Sequence, residues 1–438
     1  MLNGDPDLAA PADTIFIARQ PIFDANQRLF AYELLYRNSF NNAFDSGDGS
    51  SATLNVLRDA FLVLGPQLTG SRKAFINFNA DLLKKKLPLM LNPKTTVVEI
   101  LKDVEADGPL IDICSELREA GYVIALDNFS LKNENARALV DLAEIIKVDF
   151  RRTSRDERRA IVKSPWAGNV EFLAEKLETP EEFIEARDNG YLYFQGYFFG
   201  KPVMVSAKNL PANNVNYVRM LSEINREEMD FFSIESIIKK DTYFSYTLLN
   251  YINSAYFGLR ERIGSIMQAL ALLGQREVRK WASLVIFTFI GAKKPSEVSV
   301  TSLMRAKFCE DLAEKAGLGG HASEAFLTGM FSMLDVLIGR PIEEILNTIN
   351  VSDDIRVALT TGANRYGRLL SLVLAYERAE WDEADSWADK LGLEKRAISS
   401  GYTRSVKWVE QIFDENVASV SSGNASGSSK SFSTRTTS

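Results

Sequence analysis

A series of polar side chains falls at or just after the ends of short apolar runs in the first half of the chain. They are Glu33, Asn77, Glu99, Asp127, Lys147, Glu175, Glu178 and Gln195. Carboxylates joined by an amide oxygen make a hard, oxygen-rich set suited to Mg²⁺ or Mn²⁺. A lysine among them can hold a phosphate or an attacking water. Taken singly, each is an ordinary solvated loop residue. Recurrence of the pattern on most of the runs, in order, argues for one shared site.

For these side chains to meet, the runs must be strands that open onto a common face. Residues 14–200 read as strands at Ile15–Ile22, Leu29–Tyr36, Ala74–Asn79, Thr96–Leu101, Tyr122–Asn128, Ile145–Asp149, Glu171–Glu175 and Leu192–Phe199. Helix-like stretches such as Thr53–Leu64, Ile111–Glu119 and Glu134–Leu142 lie between them. Such alternation predicts a parallel sheet. Roughly eight strands suggest a (β/α) barrel, whose strand C-termini share one face; ~190 residues is short for one, so trimmed or missing helices are expected.

After Lys201-Pro202 strand signals vanish. Amphipathic helical segments run from Val215 to Phe413, among them Ile234–Lys239, Thr242–Ile252, Ile266–Leu273, Arg276–Ile290 and Leu303–Ala316. Pro211 and Asn213-Asn214 supply a breaker at the junction. The Ser/Thr/Gly-rich end has too little apolar content to offset its ordering entropy and is expected to be disordered. The expected division is a tail over 1–13, a barrel over 14–203, a helical domain over 204–417 and a disordered tail over 418–438. A chain of 438 residues is long enough for two domains.

Composition narrows the function classes. Hydrophobic residues make up 46% and charged residues 25%, a globular balance. The net charge of -7 argues against bulk nucleic-acid binding, which needs a basic face. Cys114 and Cys309 stand far apart, which excludes a disulfide framework and a cysteine zinc site. A single histidine, His321, cannot build the histidine clusters that many metal hydrolases use, and its Gly-Gly setting predicts a surface turn. The opening MLNGDPDLAAPAD lacks the apolar core of a signal peptide, and the longest apolar run, Leu284 to Ala292, is too short to span a bilayer. A cytoplasmic protein with no membrane contact is expected.

The first half resembles EAL-type cyclic-di-GMP phosphodiesterases. ARQPIFDANQRLFAYELLYR resembles their opening, with Glu33-Leu34-Leu35 at the eponymous tripeptide. INFN, VVEIL, ALDNF, IKVD, LAEKLET and FQGYFFGKP then resemble the family's later motifs in order, through Asn77, Glu99, Asp127, Lys147 and Asp149, Glu175 and Glu178, and Gln195. The resemblance implies an EAL-like barrel with a one-metal site at Glu33, Asn77, Glu99 and Asp127. It also implies Arg37, Gln195 and Glu178 as ligand contacts, and Lys147 and Glu175 as catalytic groups if activity survives. Three departures weigh against it. Asn128 stands where the family has an aspartate that helps hold a second metal. Lys102 replaces a glutamate that braces the active-site loop. Ser130-Leu131-Lys132 replaces a glycine-rich loop. The stretch between Asp149 and Glu175 is also shortened. Two-metal hydrolysis needs both ions placed.

The second half resembles the HDOD domain, a helical relative of histidine–aspartate phosphohydrolases. Asn253-Ser254-Ala255, Ile263–Ile266 and Leu272-Leu273-Gly274 carry the likeness. The metal-binding pair of active relatives corresponds to Ser332-Met333, neither of which replaces a histidine or aspartate ligand. The Tyr256-Phe257-Gly258 turn beside Arg260 and Arg262 is the stretch expected to be exposed for a partner. The order EAL then HDOD resembles the YuxH-like bacterial signalling family, linked to motility, biofilm and surface attachment. The fold expected is α/β plus all-α, a shortened TIM-like barrel followed by an HD-related helical domain. Three functions stay open. The first is a non-catalytic adaptor that binds a signalling protein through its HDOD half and senses cyclic-di-GMP through its barrel, with pairing through the barrels allowed. The second is a slow metal-dependent phosphodiesterase. The third is a scaffold that binds no nucleotide.

Overall fold

The period-two alternation of the N-terminal half closes into a barrel. In the computed structural model the described residues are 15–38, 65, 67–70, 72–197, 219–226, 228–239, 242–254, 257, 263–290, 296–338, 340–348 and 351–425. The strands are β1 (Ile15–Asp24), β2 (Leu29–Asn38), β3 (Lys73–Phe78), β4 (Thr96–Ile100), β5 (Val123–Leu126), β6 (Ile145–Asp149), β7 (Glu171–Leu177) and β8 (Tyr193–Gly196), paired in that order around a closed ring. Inside the ring Ile22, Ala31, Phe75, Val97, Ala125, Ile145 and Leu173 form a buried apolar layer of their own. Successive side chains on a strand alternate between faces, so the residue two positions on points the same way. Two residues on from Ala31, Phe75, Val97, Ala125, Ile145, Leu173 and Tyr193 come Glu33, Asn77, Glu99, Asp127, Lys147, Glu175 and Gln195. One layer of the barrel interior is thus apolar, and the next toward the C-terminal mouth is polar.

The sheet is not parallel throughout. β1 runs antiparallel to both β2 and β8, while β2 to β8 are parallel. The reason is local. Asp24 and Leu29 are joined by a tight turn in which the Asp24 Oδ1 accepts from the Asn26 and Arg28 amides at 2.8 Å, with Gln27 at φ 58°. So short a connection permits only a hairpin.

The connecting helices are short, as the barrel's length demands: α1 (Ala80–Lys84), α2 (Gly108–Glu119), α3 (Glu134–Ala138), α4 (Arg155–Ile161) and α5 (Pro180–Asp188). Thr53–Leu64 lies outside the described residues. Thr179 caps α5 with a reciprocal Glu182 bond, and so anchors the chain just after β7.

The helical half comprises α6 (Phe231–Lys239), α7 (Thr242–Ile252), α8 (Ile266–Ile290), α9 (Ser296–Ala313), α10 (Ala322–Phe331), α11 (Leu334–Ile338), α12 (Ile342–Thr348), α13 (Asp353–Thr360), α14 (Arg365–Glu377), α15 (Trp381–Leu391) and α16 (Lys395–Ala425). The break between the expected helices Ile266–Leu273 and Arg276–Ile290 falls at Gly274, whose φ of 71° and ψ of 169° interrupt α8. α16 overlaps the first residues of the serine-rich stretch. α9 and α10 approach so closely that a Cβ on Gly329 would lie 2.4 Å from the Arg305 carbonyl oxygen. Asn253 accounts for one motif: its Oδ1 accepts from the Ile263 amide at 2.7 Å, and its Nδ2 donates to the Ile263 carbonyl at 2.8 Å. Phe257 packs edge-on against Tyr251; Tyr256, Gly258, Arg260 and Arg262 lie outside the described residues.

The two halves share one buried apolar cluster. β1 is the seam. Phe16 meets Tyr376 of α14, which in turn lies 5.0 Å from Tyr402 of α16. The Arg19 amide donates to the Tyr402 hydroxyl at 3.0 Å, and the Tyr376 hydroxyl donates to the Ile17 carbonyl. Arg19 itself is buried over the Tyr32 ring, and Tyr32 bonds Glu297 of α9. No helix among the described residues is long and apolar enough to cross a membrane.

Candidate functional site

The polar layer meets at the barrel mouth around Lys147. This lysine is fully buried, and its ammonium donates to Glu33 at 3.1 Å, to Glu175 at 2.9 Å and to Glu99. It therefore faces carboxylates rather than open water. Asn77 Nδ2 donates to Glu33 at 2.9 Å. Gln195 Nε2 donates to Glu33 at 2.7 Å and to Gln20 Oε1 at 3.2 Å. Gln20 reaches this layer because β1 is antiparallel and sets it opposite Glu33.

The electrostatics follow from crowding. Burial pushes the Glu33 carboxyl up, but the Lys147 ammonium and the hydrogen bonds from Gln195 and Asn77 outweigh it and hold the group below its ordinary value. Burial and the neighbouring Glu33 charge push Glu99 well above the ordinary carboxylate value, against the pull of Lys147. Burial, opposed by Lys147 and reinforced by Asp127 and Glu33, pushes Glu175 up to about 8. Burial disfavours the Lys147 charge, yet Glu175, Glu33 and Glu99 more than offset that and raise its pKa well above the ordinary value. One ammonium does not satisfy three carboxylates.

Unmet oxygen acceptors point the same way. Buried Asn77 Oδ1, Glu99 Oε2, Glu175 Oε2, Asn128 Oδ1 and Gln195 Oε1 accept no hydrogen bond from the described residues. Buried polar groups ordinarily have partners, so such a set asks for one. Oxygens of Glu33, Glu99 and Glu175 lie within 4.8 Å of one another, close enough to share a cation. Carboxylate and amide oxygens are the donors a hard divalent ion takes. These residues fit a hard divalent cation.

Other expected residues take different places. Glu175, expected as a catalytic group, joins the carboxylate triad, whereas Asp127 stands outside it. Asp127 follows the last residue of β5, and its Oδ2 accepts from Asn128 Nδ2 at 2.8 Å. Asn128 thus supplies a donor where a second carboxylate would supply another acceptor, and its φ of 47° turns the chain at the rim. The Ser130–Lys132 loop is pinned instead of glycine-rich: the Ser130 hydroxyl donates to Glu157 at 2.7 Å, and the Leu131 amide donates to the same oxygen. Lys102 offers its carbonyl to Asn133. Glu178 pairs with Arg151 at the rim. Arg37 turns away toward the helical half, where Asp385 accepts two hydrogen bonds from it at 3.0 and 2.9 Å, between Phe16 and Trp381.

Above the carboxylates lies a cavity of about 800 Å³. Its floor is the polar layer, its rim carries Arg151, Arg152 and Lys176, and one wall is the α14–α15 turn with Arg378 and Trp381. Sequence reasoning missed Gln20, Arg378 and Trp381, and took from FQGYFFGKP only Gln195 although Tyr197 of the same motif also lines the cavity. Gln20 was discoverable, because it breaks the apolar run of β1 next to Arg19. Arg378 and Trp381 have no local signal.

The helical half presents no matching site at Ser332-Met333. Ser332 Oγ accepts from Arg305 at 3.1 Å and donates to the Gly329 carbonyl at 2.7 Å, Met333 is buried, and Arg305 is paired with Glu377 at 2.9 Å. His321 is exposed at the turn before α10.

A family model for the HDOD domain matches residues 210–346. The YuxH protein of Bacillus subtilis is 36% identical over 408 residues, covering 91% of this chain and 99% of the relative. CdgJ of Vibrio cholerae, named a cyclic di-GMP phosphodiesterase, is 34% identical over 404 residues, covering 91% of this chain and 93% of the relative. Among solved structures, a standalone EAL protein from Vibrio cholerae O395 bound to c-di-GMP is similar at 19% identity and a TM-score of 0.35, covering 44% of this chain and 93% of that one. With two relatives matched along nearly their whole length and the HDOD match in the helical half, the chain belongs to the YuxH-like EAL–HDOD family.

Proposed function

We propose that this protein is a cyclic-di-GMP receptor and signalling adaptor that binds the nucleotide with one divalent cation at the barrel mouth and does not turn it over efficiently. The observation that carries this reading is the set of buried acceptors without donors, Asn77 Oδ1, Glu99 Oε2 and Glu175 Oε2, beside an Asn128 amide that donates into Asp127. Glu33, Glu99, Glu175 and Asn77 would hold the ion, which when bound neutralises the charge of a ligand phosphate. Asn128 stands where a second carboxylate would, and its amide donates to Asp127, so a second ion lacks that carboxylate partner. Lys147 keeps the three carboxylates together, and Gln195 and Gln20 orient Glu33. The helical half, closed at Ser332-Met333, serves to bind a signalling protein. The division at 14–203 and 204–417 is part of the same proposal.

A second reading, slow phosphodiesterase activity, is favoured by the presence of Lys147 and Glu175 in the site and by the name that CdgJ carries. Calorimetric titration of cyclic-di-GMP with Mn²⁺ separates the readings. A saturable isotherm, absent in Glu33→Ala and without linear product, supports the receptor. Sustained heat with linear dinucleotide supports the enzyme. No heat, with a melting temperature unmoved by nucleotide and Mn²⁺, leaves a scaffold, because a ligand of the folded state must stabilise it. Asn128→Asp by itself is expected not to restore brisk hydrolysis, since the pinned loop remains.

A further inference from the structure

We infer that the helical half supplies part of the ligand site itself: Arg378, at the α14–α15 turn, is an anion-binding residue of the barrel-mouth cavity. The inference rests on the nucleotide-and-metal reading above and extends it to a residue outside the barrel.

The cavity has two chemistries. Its floor is rich in unmet oxygen acceptors and takes a cation. Its rim carries arginine and lysine and takes an anion. A ligand that satisfies both is a metal-bridged phosphate or phosphodiester. Two of the barrel's rim cations have a carboxylate within hydrogen-bond reach: Arg151 pairs with Glu178, and Lys176 with Asp149 at 2.6 Å; Arg152 stands farther off, 3.8 Å from Asp149. Arg378 differs. Its nearest carboxylate, Glu380, stands 3.9 Å away, beyond hydrogen-bond reach. Its guanidinium carbon lies 5.1 Å from the centre of the Tyr197 ring, a residue that follows β8 and also lines the cavity. A planar guanidinium held over an aromatic face keeps its edge donors free for phosphate oxygens.

The turn that presents Arg378 is held in place. The Arg378 amide donates to Leu374 at 3.1 Å, Ala379 adopts φ 55°, and the Glu380 amide donates to Ala375 at 2.9 Å. Tyr376, in the same helix end, is bonded to Ile17 of β1. Trp381 opens α15 on the other side and packs 5.2 Å from Tyr376. Arg378 is thus part of a preformed wall, and a phosphate bound to it links the nucleotide site directly to the helical half.

The test is titration of the full chain with cyclic-di-GMP and Mn²⁺, and in parallel with Mn²⁺-pyrophosphate, in wild type, Arg378→Ala, Arg378→Gln and Arg378→Lys. Loss of a charge-assisted contact predicts about tenfold to a hundredfold weaker binding in the first two and substantial retention in the third. The ligand-free melting temperature is expected to stay put, because Arg378 is 43% exposed. Arg378→Gln carries the test if the alanine variant does not fold. Wild-type nucleotide binding that the variants reproduce within twofold overturns the inference and leaves the receptor reading standing. Pyrophosphate binding that depends on Arg378, without nucleotide binding, supports the inference and removes the nucleotide. No binding of either probe overturns both.

Discussion

The barrel mouth and the Ser332-Met333 region treat buried polarity in opposite ways. At the barrel mouth Lys147 is shared among Glu33, Glu99 and Glu175, and several acceptor oxygens remain without donors. In the helical half the buried Arg305 is matched to Glu377 and Ser332, and Ser302 donates to the Met330 carbonyl at 2.8 Å. Burying an unmatched charge or acceptor costs stability. A fold keeps such a deficit where a ligand relieves it, and closes it where none comes. The barrel has kept the deficit; the Ser332-Met333 region has closed it with an ion pair and a methionine.

Removing the central cation from each half breaks or sharpens this contrast most. Lys147→Met leaves three carboxylates without their ammonium, and Arg305→Met leaves buried Glu377 alone. Each is expected to cost about 3–5 kcal/mol in urea unfolding, the range for a broken buried pair. Mn²⁺ is expected to recover part of the loss in the first and none in the second. Equal recovery, or none in either, would break the contrast.

A smaller effect tests closure by packing. Gly329→Ala drives a Cβ against the Arg305 carbonyl, and a destabilisation of about 1–3 kcal/mol is expected from calorimetric melting. If the variant melts like wild type, α9 and α10 are less tightly joined than their separation indicates.

The smallest effect concerns the barrel's rim. Burial pushes the Asp149 carboxyl up, but hydrogen bonds from Lys176 and from the Arg151 and Arg152 amides outweigh it and hold the group below its ordinary value. The folded state therefore binds fewer protons than the unfolded one. The stabilisation is fully present above the ordinary carboxylate value and is lost as pH falls through the lower folded value. Asp149→Asn is expected to lose about 1 kcal/mol near neutral pH, and the gap to wild type should close as pH falls below the ordinary carboxylate range. A gap independent of pH would assign the loss to packing.

The polar layer was legible because strand geometry is local. Each of Glu33, Asn77, Glu99, Asp127, Lys147, Glu175 and Gln195 follows an inward apolar or aromatic residue by two positions, and alternation carries the face forward. The absence of a histidine cluster and the Asn128 substitution were equally plain, since they depend only on residue type. The parallel direction expected of β1 was wrong, although the short Asp24–Leu29 connection held the information. Arg37 meeting Asp385, and Arg378 reaching the cavity, join residues separated by hundreds of positions. Such contacts leave no periodic trace along the chain. They are set by how β1 docks on α14 and α16, where burial of Phe16, Tyr376 and Tyr402 decides which helix end faces the barrel mouth.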